Sequence, residues 1–145
     1  MRCRFLYLAF GGPEYGDGHE PMYRMVMVLE DRVIRSDTNG TEVFKMDTYE
    51  ASKERREDGT VEVRYIFRGA NNEAEGVFLT IHPDEDVGKF EKKGDLWFLM
   101  TDHLGNAPEE RYFVYVYADD EFFEPIRSVL PNEAGRSGGS ACTCT

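Results

Sequence analysis

From Thr60 to Phe67 the chain reads TVEVRYIF, with Val61, Val63, Tyr65 and Phe67 facing one way and Glu62 and Arg64 the other. Successive side chains of an extended strand point to opposite faces, so this alternation suits a half-buried strand; on a helix the same residues would scatter around every side. The same period returns along most of the chain. Arg2, Arg4 and Leu6 alternate with Cys3, Phe5 and Tyr7 in a first strand. Residues 23–29 (YRMVMVL) run into Glu30-Asp31 and return over residues 32–35 (RVIR), which reads as a hairpin. Beyond the turn residues SDTNG, residues 41–50 alternate again. Residues 76–82, 95–101 and 110–118 complete the set, the last two apolar enough for the centre of a sheet.

Helical signals are few. Residues 50–57 (EASKERRE) are polar all round and fit either one exposed turn or the far part of a hairpin that ends at Asp58-Gly59. Glu124-Pro125 ahead of Ile126, Val129 and Leu130 predicts a short helix, with proline at its first position and the three apolar residues on one side. The expected fold class is therefore mainly β, an antiparallel sandwich or barrel of about eight strands with one short C-terminal helix.

A chain of 145 residues with 41% hydrophobic and 13% aromatic residues fits one domain with enough apolar surface to order itself. That domain is expected to span residues 1–130. From Asn132 the sequence NEAGRSGGSACTCT has no apolar period, so residues 131–145 are expected to form a flexible Gly/Ser/Cys-rich tail.

Charge narrows the partners. Twenty-eight acidic residues face 17 basic ones, a net charge of -11, which repels phosphate backbones and anionic lipid head groups and attracts basic surfaces. No apolar run approaches the roughly 18 residues of a membrane span. The apolar start is cut short by Gly11, Gly12, Pro13 and Glu14, too soon for an export signal. With three cysteines, two of them Cys142 and Cys144 near the end, no disulfide framework is indicated and a cytoplasmic location is expected.

Three segments concentrate groups that would recognise a partner. The loop GGPEYGDGHEP over residues 11–21 is long for a strand connection and holds Glu14, Asp17, His19 and Glu20. Its carboxylates meet no metal-ligand spacing, and it lacks the Lys-Ser/Thr of a phosphate loop. Asp84, Glu85 and Asp86 follow His82-Pro83 in an acidic run whose spacing fails that of a calcium loop, leaving a hydrophilic turn. Asp119, Asp120, Glu121 and Glu124, interleaved with Phe122 and Phe123 behind the strand RYFVYVYA, compose an acidic patch edged by aromatic rings, a composition found at protein interfaces.

Thr101-Asp102-His103 sets an acid beside a base, but neighbours on an extended chain point apart. No G-x-S-x-G, H-E-x-x-H or paired Cys-His signature occurs. The expectation is a non-enzymatic protein with no cofactor and no metal. It would occupy the basic surface of a nucleic-acid-handling protein as an inhibitor or decoy of the kind mobile elements use, without touching nucleic acid itself. A second expectation is a small-molecule binder with a cavity lined by Arg64, Tyr65 and Trp97. Finally, Gly138-Gly139 ahead of SACTCT resembles the double-glycine junction of ribosomally made peptide precursors. That resemblance implies cleavage after Gly139 and release of a Cys/Thr core.

Overall fold

The computed structural model describes residues 2–11, 22–101 and 112–131. Nine antiparallel strands form one sheet: β1 (Phe5–Gly11), β2 (Met22–Val28), β3 (Arg32–Asp37), β4 (Gly40–Arg55), β5 (Val61–Gly69), β6 (Ala74–Ile81), β7 (Glu91–Lys93), β8 (Leu96–Thr101) and β9 (Tyr112–Ala118). Their spatial order is β6-β5-β4-β3-β2-β1-β9-β8-β7. Apart from β6 and β7, strands adjacent in sequence pair with each other, and β1 joins β9, so the sheet is a meander with one open seam between β6 and β7, a curled half-barrel. The mainly β class with a short C-terminal helix is as expected.

The strand absent from the sequence reading is β7. It is only EKK, three exposed residues that carry no period of their own and gain their place by pairing Glu91 with Phe98 and Lys93 with Leu96. Gly94, at φ 63, makes the turn between β7 and β8, a backbone region that costs glycine nothing. Residues 50–57 resolve as the hairpin alternative: β4 runs without a break to Arg55, and Gly59 turns the chain at φ 92.

Strand β4 determines the curl. Its first part pairs with β3, as in Val33 against Phe44, and its last part pairs with β5, as in Ala51 against Tyr65. Between Met46 and Thr48 the register slips, leaving Asp47 extra. A bulge of this kind bends a strand and sharpens its twist, so β5 and β6 fold back over the first strands. The inner faces then meet: Phe5, Val26, Val28 and Val33 from one side, and Val63, Tyr65, Phe67 and Leu79 from the other, all at 1% exposure or less. Phe5 is the hub, with its ring 4.9 Å from Tyr65, 5.8 Å from Phe67 and 5.7 Å from Phe122.

The C-terminal helix α2 (Asp120–Arg127) begins five residues earlier than the proline signal predicted, and Pro125 lies inside it. The aspartate cap explains the shift. Asp119 stays extended and its side chain accepts a hydrogen bond from the Phe122 amide at 3.0 Å, closing the first turn ahead of the proline. Phe122, Phe123 and Ile126 thereby face the sheet and are buried. The aromatic edge expected around the acidic patch is thus corrected: those two rings are core, because the helical turn places them with Ile126 on its apolar side. A second, single-turn helix, α1 (Pro83–Asp86), occupies the expected hydrophilic turn.

Three charged side chains fasten the fold-over. Glu75 on β6 is 9% exposed and receives the guanidinium groups of both Arg24 on β2 and Arg35 on β3, the latter at 2.7 Å. Arg24 also donates to the Gly76 carbonyl at 2.6 Å and Arg35 to that of Ala74 at 3.2 Å. These guanidinium groups stand in for the missing partner strand at that end of β6, where edge carbonyls would otherwise need water or another chain. Phe122→Ala is expected to cost about 3–5 kcal/mol, whereas Phe78→Ala, on the outer face and 55% exposed, is expected to stay within about 0.5 kcal/mol; guanidinium melts followed by circular dichroism measure both.

Candidate functional site

The carboxylates expected to bind a partner are distributed among three locations. Asp119, Asp120 and Glu121 sit at the start of α2, where acids also favour the helix dipole. Asp119, nearly buried, takes Arg4 Nε at 2.9 Å besides capping the helix. Glu121 accepts from Arg4 and from the Tyr49 hydroxyl. Asp120 accepts from Trp97 Nε1 at 2.9 Å and Lys92 Nζ at 3.2 Å. Glu124 lies 3.5 Å from Arg127, whose guanidinium rests over the rings of Trp97 and Phe123. Together these bonds tie the chain start, β4, β7 and β8 to the helix.

The local electrostatics follow from those contacts. The hydrogen bond from Trp97, then that from Lys92, holds the Asp120 carboxyl below its ordinary value. The Tyr49 hydroxyl, with Arg4, does the same for Glu121. Burial, then the bond to Glu121, pushes the Tyr49 phenol up to about 12. An opening of about 360 Å³ beside this cluster is lined by Arg2, Arg4, Lys92, Asp95, Asp119, Asp120 and Glu121. Three of its four carboxylates are engaged with donors of the chain itself.

Asp84, Glu85 and Asp86 form α1. Asp86 is fully buried and accepts the His82 amide at 2.8 Å, while Asp84 and Glu85 stay exposed, Glu85 lying 3.6 Å from His82 Nδ1. Glu14, Asp17, His19 and Glu20 lie outside the described residues, as do Asp102, His103, Gly139, Cys142 and Cys144. Their attachment points are nonetheless set. Gly11 pairs with both Met22 and Tyr112, and Thr101 pairs with Val114, so the connections 12–21 and 102–111 leave the same end of the sheet.

Arg64, Tyr65 and Trp97 do not converge on a cavity. Arg64 faces outward and pairs with Glu62 at 2.5 Å and Glu54 at 2.7 Å. Tyr65 is wholly inside and donates to the Phe122 carbonyl, and Trp97 stacks on Phe123 at 4.5 Å. Neighbours on a strand point to opposite faces, which separates Arg64 from Tyr65. A cleft that sequence reasoning missed, about 390 Å³, is lined by Arg24, Arg35, Glu42, Glu75, Asp37 and Asn39 among others. The signal for it was present as phase: Arg24 shares the face of Val26 and Val28, Arg35 that of Val33, and Glu75 that of Val77, so all three charges point inward.

Among the described residues no group of three or more His, Cys, Asp or Glu side chains is placed to hold a metal ion, and no helix is long and apolar enough to cross a membrane. Comparison of the chain with protein-family models, curated proteins and solved structures found no match.

Tyr49→Phe tests the role of the α2 cluster. A phenol raised above its unfolded value, about 10, contributes stability that is complete below pH 10 and lost as pH rises through about 12. Glu121, held low, contributes above its ordinary value and loses that contribution as pH falls through its lowered one. The variant is expected to be less stable by about 1–2 kcal/mol at pH 7. That difference should shrink above pH 10 and again as Glu121 is protonated at acid pH in urea melts, and a difference constant across pH would refute the assignment.

Proposed function

We propose that the protein acts by binding rather than by making bonds, and that it captures the basic surface of another protein through the acid-rich end of its sheet. The supporting observation is the shared origin of the connections 12–21 and 102–111 at the end where β1, β2, β8 and β9 come together. Their sequences carry Glu14, Asp17, Glu20, Asp102, Glu109 and Glu110 against Arg111 alone. Asp37, exposed in the β3–β4 turn, lies at the same end, since it pairs with Arg24 two residues into β2. The carboxylates at α2 already have cations of their own, which shifts the weight of capture to these connections.

Clustered like charges on a low-dielectric scaffold raise the local potential and speed association with an opposite surface, with more effect on rate and specificity than on affinity. A protein that handles nucleic acid presents such a surface, because it must neutralise phosphates. Occupying it would deny that surface to its nucleic acid.

In the corresponding test, immobilised poly-lysine and a panel of basic DNA-binding proteins are used to retain the chain at low ionic strength. Retention is expected to fall steeply as the screening length shortens toward about 3 Å at 1 M salt. Neutralising Glu14, Asp17, Glu20, Asp102, Glu109 and Glu110 as amides is expected to weaken retention at least tenfold, while Asp120→Asn with Glu124→Gln leaves it nearly unchanged. Equal retention of wild type and the six-site variant would end this reading.

A further inference from the structure

On β1, β2, β3, β8 and β9 the outward-facing residues are as apolar as the inward-facing ones. Register places Val43, Ile34, Met27, Leu6, Tyr117 and Phe98 side by side in one row across six strands. A second row runs parallel from Met25 to Met100. Phe98 meets both neighbouring tyrosines, its ring tilted against Tyr117 at 4.7 Å and stacked with Tyr115 at 6.2 Å. Val43 is 56% and Met100 52% exposed, and the rest of the two rows is partly exposed. Helix α2 spends its apolar residues on the opposite face, where Phe122 meets Phe5, Tyr65 and Phe67.

We propose that this outer sheet face is where two copies of the chain associate, packed face to face into a dimer. Size is the first argument. Six strands about 4.8 Å apart and about 17 Å long cover about 500 Å², at the upper end of what a monomer leaves open. With the rim, that reaches the low end of standard interfaces, about 600 Å² per partner.

The second argument is charge. Two molecules of net charge -11 repel wherever their acids meet, and neither row contains an acid. Lys45 flanks the face on β4 and Glu91 on β7, the two opposite edges. A two-fold axis parallel to the strands lays each edge over the other and leaves these charged side chains at the margins of the contact, in the aligned packing that twisted sheets prefer. The remaining parts of the chain do not suit the role: residues 12–21, 102–111 and 132–145 hold Tyr15 and Leu104 as their only large apolar side chains.

Sedimentation equilibrium of the full chain between 1 and 200 µM is the test. Wild type is expected to sediment at twice 16.7 kDa with a dissociation constant in the micromolar range, undiminished at 1 M salt, because apolar contact persists where charge attraction is screened. Met27→Glu, at the centre, is expected to abolish the dimer. Val43→Glu with Met100→Glu, at exposed positions that the fold tolerates, is expected to weaken it at least tenfold with an unchanged circular dichroism spectrum. A wild type that stays monomeric at 200 µM, or a folded V43E/M100E variant that dimerises as well as wild type, overturns the proposal. So does a monomer that covers this face only with a different protein. Salt separates this test from that of the acidic end, where capture declines as salt rises.

Discussion

The fold depends on a sheet having to cover its own inner face. Nine strands supply far more apolar surface than one eight-residue helix can shield, and a flat sheet of that width would leave Val63, Tyr65, Phe67 and Leu79 in water. One extra residue in β4 resolves this by bending the strand between its pairing with β3 and its pairing with β5. Two halves of the same sheet then become each other's core, and α2 needs only to add Phe122, Phe123 and Ile126 to what remains open.

A fold closed this way has a seam, and charge manages it. At one end Glu75 bridges Arg24 and Arg35, whose remaining donors cap edge carbonyls of β6. At the α2 end Asp119, Asp120 and Glu121 connect the helix to Arg4, Lys92, Trp97 and Tyr49. Neutral alternatives would shield the seam less well, because an unpaired polar group in a half-buried position gives up water without recompense. The acid excess therefore divides into carboxylates that hold the structure and others, many of these in the connections at one end. This division connects the architecture to the proposed capture of a basic surface, and the apolar rows of the outer face leave room for the proposed second copy.

Much of this was legible beforehand. The alternation in TVEVRYIF identified the inward residues of β5, all four of them buried, and the hairpin of β2 and β3 follows from YRMVMVL, Glu30-Asp31 and RVIR. The binding residues were harder to read. Asp86 and Asp119 have the composition of surface acids, but each caps backbone amides from a buried position, and composition does not distinguish a carboxylate facing water from one facing an amide. Proline overshadowed the Asp119 cap in locating the helix, and EKK was too short to register as β7.

Sequence alone determined the strand character, the face on which each side chain of a strand falls, and the net charge, because each follows from local geometry or from a count. The tertiary structure decided which carboxylates acquire cations, which end of the sheet receives the acid-rich connections, and that Arg24, Arg35 and Glu75 meet across strands distant in the sheet. Those outcomes depend on where one bulge bends β4, and a bulge reflects competition between registers of paired strands, to which residues far apart in the chain contribute together.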